Sequence, residues 1–165
     1  MQTFLPYPDA RSSARSLDDA RLRKQGQEAL QIVATVLDPA RPGYQHHPAV
    51  RMWRDNLGAL GWYISEIGRE CKARGFLANF DTQAFVMLYR ADLMVPRLPW
   101  WWGHAEFHLA HQSNLIRKDP AHYGPQFVCA PLDAVYLWPT EEETMVMSKP
   151  DQKRVKAGER VAWTL

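Results

Sequence analysis

Apolar residues recur at helical spacing over a long stretch near the start of this 165-residue chain. The stretch follows residues 1–15, which are interrupted by prolines and predicted to be irregular. Ser16 is a suitable N-cap, and Asp18–Asp19 place negative charge in the first turn, where it opposes the helix dipole. The pattern predicts a first helix that extends to Leu37 and is stopped by Asp38–Pro39.

A second stretch with the same periodicity predicts a long helix over residues 48–74. It opens on a proline, which suits a first helical turn, and Gly75 supplies a left-handed cap. Gly58 and Gly61 weaken this helix and indicate a bend or a close helix crossing. The following segment, 82–95, fits either a helix or a short strand, because a short apolar run does not separate the two.

A further helix is predicted over residues 104–118, and the chain then becomes polar. The pattern as a whole predicts an all-α fold with long irregular loops. We expect a single compact domain of three to four main helices over residues 1–140 and a polar C-terminal tail over residues 141–165. Packing of this tail on the domain stays open, as does a short closing turn or strand at residues 160–164.

The composition fits a folded protein, since 46% of the residues are hydrophobic and 12% are aromatic. The net charge of +2 neither requires nor excludes nucleic acid, so local clusters of positive charge matter more. Two cysteines predict a reducing compartment without a disulfide framework. With no signal peptide pattern and no apolar run of about 18 residues, we expect a soluble cytoplasmic protein.

The first helix carries a carboxylate surrounded by cations and amides. Arg21, Lys24, Glu28 and Gln31 are spaced by three or four residues and therefore share one face, with Gln27 beside it. A Lys24–Glu28 surface pair, worth about 0.2–0.5 kcal/mol, is the ordinary explanation. Acid–base chemistry on an anionic substrate is the functional one.

Histidines recur on the helix predicted over residues 104–118. His104, His108 and His111 share one face, and such spacing can hold a metal ion, with His46 and His47 as further candidates. No cysteine or carboxylate completes an obvious ligand set. The competing interpretation gives these imidazoles a hydrogen-bonding or pH-sensitive role.

Two further sets of residues have side chains that could bind nucleic acid. Arg117 and Lys118 end a predicted helix, where they satisfy its dipole, but with Asn114 and Tyr123 they also suit contacts to phosphate. The Trp100–Trp102 run is typical of core and loop anchors; if exposed, these indoles would stack on an unpaired base.

Three segments, in this order and spacing, resemble the pyrimidine-dimer DNA glycosylase / endonuclease V family of small all-α base-excision repair proteins. The resemblance covers about residues 15–127. The residues that carry it are Leu17, Leu22 and Glu28 in the first segment; His47-Pro48, Trp53, Tyr63, Glu70 and Arg74-Gly75-Phe76 in the second; and Asn114 to Pro120 with Tyr123 in the third.

The resemblance implies a DNA N-glycosylase with AP-lyase activity that acts on damaged, pyrimidine-dimer-like duplex DNA. In that family a backbone α-amine attacks C1′ of the damaged nucleotide and a glutamate assists, and Glu28 falls on the position of the glutamate. Because Gln2 is bulky, we expect Met1 to be retained and its amine to be the nucleophile. The residues expected to bind nucleic acid are Arg21, Lys24, Gln27, Gln31, His47, Arg117, Lys118 and Tyr123.

The chemistry of an α-amine suits this role, because its ordinary pKa of about 7.7–8.0 leaves a usable neutral fraction at pH 7. We expect no cofactor, no metal, no membrane and no obligate protein partner. Damaged DNA is the expected partner, with association to the nucleoid when bound. The alternative is a non-catalytic DNA- or nucleotide-binding module on the same scaffold; a metal-dependent enzyme using the three histidines is the third class.

Overall fold

Eight helices and one small β-hairpin make up residues 1–159, the part of the chain that the computed structural model describes. The elements are α1 (Ala10–Ser16), α2 (Asp19–Leu37), α3 (Pro48–Trp53), α4 (Leu57–Ala73), α5 (Phe80–Arg90), α6 (Ala105–Lys118), α7 (Pro120–Tyr123), β1 (Leu137–Pro139), β2 (Met145–Met147) and α8 (Lys149–Lys156). The fold is therefore mostly helical, as expected. None of these helices is both long and apolar enough to cross a bilayer.

The N-terminal part of the chain differs from the prediction in two ways. Part of the segment predicted to be irregular forms α1, and α2 begins at Asp19 rather than after Ser16. The Asp18 side chain accepts a hydrogen bond from the Arg21 backbone N–H, so Asp18 is the N-cap of α2. The Ser16 hydroxyl instead donates to the Ser13 carbonyl at the end of α1.

The predicted helix over residues 48–74 is broken into α3 and α4. The chain leaves the helical conformation at Asn56, which lets Trp53 and Leu57 on either side of the break both enter the core. Gly75 has a φ of +80° and caps α4, as the sequence predicted. A side chain at Gly61 would collide with Leu88 of α5, which explains this glycine by a close helix crossing.

The core lies between α2, α4 and α5, with α1 against α4. Gly26 of α2 lies directly under the ring of Phe80, so the first turn of α5 is in contact with the helix that carries Glu28. Residues 82–90 of the ambiguous segment are thus helical. Trp101 is buried against Trp53, which identifies the tryptophan run as a core anchor.

Residues 137–156 form β1, β2 and α8, and β1 packs against α3 and α6. β1 and β2 pair antiparallel, with Trp138 opposite Val146. The buried Asp151 carboxylate of α8 accepts a hydrogen bond of 2.8 Å from the Tyr136 backbone N–H. At the hairpin turn, Glu141 lies 3.5 Å from Arg51 of α3. The turn or strand predicted at residues 160–164 lies outside the described residues.

Candidate active site at the N-terminus

The first residues of the chain form an extended segment that passes through the core. Thr3 and Leu5 are 0% exposed, although neither belongs to a helix or strand. Such a segment exposes its backbone N–H and C=O groups to the protein interior, where each needs a partner. Side chains from α2, α4 and α6 supply partners for the backbone groups of Phe4 and Leu5.

Helices α2, α3 and α4 hold the first half of the segment. The Gln25 Oε1 atom accepts a 2.6 Å hydrogen bond from the Phe4 backbone N–H. The Tyr63 hydroxyl lies 3.0 Å from both this oxygen and the Phe4 carbonyl. The Trp53 indole N–H donates to the Thr3 hydroxyl at 2.9 Å. Three side chains thus determine the position of the segment along α2.

Two histidines of α6 hold Leu5. Its N–H donates to His111 Nδ1 at 3.0 Å, and its carbonyl accepts from His108 Nδ1 at 2.8 Å. His111 therefore carries its proton on Nε2, which contacts the Tyr136 hydroxyl at 3.1 Å. His108 accepts from the Gly103 N–H through Nε2. Both rings are neutral in these roles, in agreement with burial, which lowers the pKa of each.

The proposed histidine metal site is not formed. His104 is exposed, whereas His108 and His111 are buried and use both ring nitrogens in hydrogen bonds. Across residues 1–159, no group of three or more His, Cys, Asp or Glu side chains is placed to hold a metal ion. The hydrogen-bonding alternative is confirmed for His108 and His111.

We expect replacement of His111 by Asn to make the free energy of unfolding depend less on pH below about pH 6.5. In the unfolded chain, a His binds a proton as the pH falls below about 6.5, whereas buried His111 stays neutral in the folded state. The free energy of unfolding therefore falls by up to about 1.4 kcal/mol for each pH unit below that value. Asn Oδ1 can accept from the Leu5 N–H and does not titrate. The slope of unfolding free energy against pH between pH 6 and 5, from urea denaturation, should decrease by about that amount. His46→Asn, at an exposed position, is the control; an unchanged slope in His111→Asn would contradict the assignment.

The anchored segment brings the chain start against Glu28. The Gln2 backbone nitrogen donates a 2.8 Å hydrogen bond to Glu28 Oε2. The other carboxylate oxygen lies 3.8 Å from Lys24 Nζ. A hollow of about 430 Å³ opens at this contact, and its lining residues include Met1, Arg21 and Glu28. We call it the Glu28 hollow. Of the predicted α2 face, the structure brings Arg21, Lys24 and Glu28 together.

His47 lies on the other side of the chain start. Its Nδ1 accepts from the Ala49 N–H and so caps α3. Burial lowers the pKa of His47, the positive charge of the Met1 amine lowers it further, and the Glu28 carboxylate opposes both. The charges of the amine and of the carboxylate therefore both act on the imidazole. A second hollow of about 600 Å³ is lined by residues that include His47, Met1 and Gln2. We call it the open hollow.

Tyr123, which the sequence predicts to bind nucleic acid, lies beneath the surface behind the site. It is 0% exposed, and its hydroxyl donates to Asp18. Asp18 in turn accepts from Arg21 Nη1 at 2.6 Å. Burial alone would raise the pKa of Asp18, but the hydrogen bonds from Tyr123 and Arg21 lower it to about 2. Tyr123 therefore acts through Asp18 to fix Arg21 beside the Glu28 hollow.

The remaining predicted residues divide into two groups. Arg117 and Lys118 are exposed at the end of α6 and line the open hollow, and Lys118 lines the Glu28 hollow as well. Gln27 and Gln31 do not line either hollow. Gln27 is fully on the solvent side of α2, while Gln31 is half-buried one turn beyond Glu28.

Several residues of the site were not predicted from the sequence. Gln25 had a signal, because it is a polar residue within the apolar stripe formed by Leu22 and Ala29. Its burial implies a bonding partner. Tyr136 and Trp138 had no comparable signal, since they join the open hollow only through long-range packing of the C-terminal part of the chain.

Comparison with known proteins gives one match. The sequence model of the family described as pyrimidine dimer DNA glycosylase matches residues 1–84, a region that runs from the chain start through the Glu28 helix to the first half of α5. No curated protein and no solved structure matches this chain.

Proposed function

The chain belongs to the pyrimidine dimer DNA glycosylase family, and from this premise we propose an endonuclease V-like repair enzyme with glycosylase and AP-lyase activity. Its substrate is duplex DNA with a pyrimidine-dimer-like lesion. The α-amine at the chain start is the nucleophile and Glu28 is the catalytic carboxylate.

One observation carries this proposal: the 2.8 Å hydrogen bond between the Gln2 backbone nitrogen and Glu28 Oε2. The segment that makes this contact is held in the core at Thr3, Phe4 and Leu5, so the chain start has a defined place beside the carboxylate. A surface ion pair with Lys24 would need no such anchoring. Covalent catalysis requires a nucleophile held next to its acid–base group, and this contact fixes the backbone at most one residue from the α-amine.

The reaction assigns each group a role. The neutral amine attacks C1′ of the damaged nucleotide, a C1′–N bond forms, and the C1′–base bond breaks with its electron pair leaving on the base. Glu28 stabilises the positive charge that develops on the sugar and accepts a proton from the resulting ammonium group. Opening of the sugar ring then gives an imine, and loss of a proton from C2′ expels the 3′ phosphate.

Two nitrogens compete for the role of nucleophile. If Met1 is retained, as the size of Gln2 predicts, the amine is one residue before the atom that contacts Glu28. If Met1 is removed, the Gln2 nitrogen itself becomes the amine, already 2.8 Å from the carboxylate. Both arrangements keep the amine in the hollow that Glu28 lines.

Basic side chains around the site are placed to contact the phosphate groups of the DNA backbone. Arg21, Lys24 and Lys118 line the Glu28 hollow, and Arg117 lines the adjoining one. The Lys24 side chain is 72% exposed, so its ammonium group is accessible to a phosphate of the DNA backbone. Each such contact makes binding weaker as the salt concentration rises.

Borohydride trapping tests the proposal directly. The protein is incubated with duplexes that carry a pyrimidine dimer or an abasic site, and the imine is reduced to a stable adduct. We expect a covalent adduct on both, and peptide mapping should locate it on the first peptide, at Met1 or at Gln2. Salt-sensitive binding of both duplexes without any adduct would instead establish the non-catalytic binding module.

A further inference from the structure

Three lysines share one face of α8, the last helix that the structure describes. Lys149, Lys153 and Lys156 follow one another at spacings of four and three residues, which aligns them along a helix. All three side chains are exposed. At a rise of about 1.5 Å per residue, the row from Lys149 to Lys156 is about 10 Å long. We call this row of positive charge the α8 lysine face.

The opposite side of α8 attaches the helix to the rest of the protein. Asp151 on that side is buried and accepts a 2.8 Å hydrogen bond from the Tyr136 backbone N–H. The Tyr136 carbonyl accepts another, also of 2.8 Å, from the Ser148 N–H. The Tyr136 hydroxyl contacts His111, which holds the N-terminal segment. The α8 lysine face therefore has a defined position relative to the chain start.

The α8 lysine face forms no ion pair with any of the residues 1–159. Asp151 and Glu159, the acidic residues of this part of the chain, both pair with Arg154, at 3.0 and 2.9 Å. The basic residues at the end of α4 differ, because all of them pair with carboxylates of the same protein: Arg69, Lys72 and Arg74. The charge of the α8 lysine face is therefore available to an anionic partner outside the chain.

The α8 lysine face continues the cationic surface of the proposed site. Pro150 and Arg154 of α8 line the open hollow, together with Met1, Arg117 and Lys118. Successive phosphates of one DNA strand rise by about 3.4 Å along the duplex axis, so a row of about 10 Å covers three such steps. The α8 lysine face therefore agrees with a DNA backbone in length as well as in charge.

We propose that the α8 lysine face binds backbone phosphates of the duplex beside the lesion. This inference rests on the proposed function, and it extends the DNA contact beyond residues 1–84, which the family model matches. Lysine contacts to phosphate carry no sequence information, so the face holds damaged and undamaged duplex alike. A lipid surface is a poorer partner, because the only large aliphatic side chain of α8 is the half-buried Val155.

The salt dependence of binding to an undamaged duplex tests this contact without any chemistry. The variant combines Lys149→Gln, Lys153→Gln and Lys156→Gln, since Gln removes the charge and keeps a high helix propensity. Each phosphate contact adds about 0.9 to the steepness of log affinity against log salt concentration, so the steepness should decrease by about 2.7. Between about 50 and 200 mM salt, the wild type should lose about 40-fold more affinity than the variant. Fluorescence anisotropy of a labelled duplex gives the affinities.

The matched control combines Arg11→Gln, Arg90→Gln and Arg97→Gln, which remove the same total charge at exposed positions. Its salt dependence should equal that of the wild type. Because Asp151 rather than the lysines attaches α8, both triple variants should melt close to the wild-type temperature. Lys153→Gln alone should lower the steepness by about 0.9, which provides the same test if the triple variant is less stable.

Equal salt dependence in the lysine variant and the arginine control would overturn the proposal, because only total charge would then matter. So would a wild type that does not bind the duplex. Lysine-dependent binding to phosphatidylglycerol vesicles, with duplex binding unchanged by the substitutions, would assign the face to lipid and also overturn it. Failure of the proposed function has a different result: lysine-dependent duplex binding without any borohydride-trapped adduct would confirm the α8 contact on a non-catalytic module.

Discussion

Replacement of Glu28 by Gln should slow adduct formation on abasic and dimer-containing DNA by about 10²- to 10⁴-fold, the usual contribution of a positioned acid–base group. The Gln side chain has nearly the same shape, and its Oε1 can still accept the hydrogen bond from the Gln2 nitrogen. What it lacks is the negative charge that stabilises the sugar cation and the ability to take up a proton. The single-turnover rate of borohydride trapping measures the effect.

Glu106→Gln is the matched control for this prediction, because it makes the same chemical change at an exposed position in the first turn of α6. Its trapping rate should equal that of the wild type. DNA binding by Glu28→Gln should be retained, since the substitution removes a negative charge from a cationic surface. Unchanged trapping in Glu28→Gln would show that Lys24–Glu28 is only a surface ion pair.

An uncleaved extension of two residues before Met1 should reduce adduct formation to the background level. The extension converts the amine near Glu28 into an amide, whose nitrogen is not nucleophilic, and moves the new amine away from the hollow. Trapping with an abasic duplex gives the measurement. Because the buried anchors begin at Thr3, the extension should leave the melting temperature close to that of the wild type.

The same two residues added after Leu165 provide the control and should leave trapping unchanged. A protease site within the N-terminal extension offers a second check, since cleavage that regenerates the original start should restore the adduct. Full trapping by the extended protein would contradict the α-amine mechanism and would direct the search to a lysine such as Lys24 or Lys118, which line the same hollow.

The longest helices were predictable because their signals are local. α2 and α6 follow from apolar periodicity closed by Asp-Pro, and the Gly75 cap follows from the need for a positive φ. The break between α3 and α4 was not predictable from periodicity. It depends on the packing of Trp53 against Thr3 and Trp101, residues far away in the sequence.

In the candidate site, too, the features that depend on local spacing were predictable and those that depend on long-range contacts were not. Spacing alone placed Arg21, Lys24 and Glu28 on one face, because a helix fixes its own geometry. The place of the chain start was not predictable, since an irregular segment has no periodicity and its position depends on partners more than 20 residues away, such as Gln25 and His111. The burial of Tyr123 was not predictable either, because it depends on contacts with Asp18, 105 residues away.

By itself, the sequence determined the helical class, the Glu28 face and the resemblance to a DNA repair family, because these depend on residue types and their spacing along the chain. Only the tertiary structure decided that the Gln2 nitrogen contacts Glu28, that two histidines hold the N-terminal segment rather than a metal, and that Trp138 lies next to His47. The physical reason is that these contacts join segments between 26 and 106 residues apart. Burial of the whole core, and not any local preference, brings such segments together.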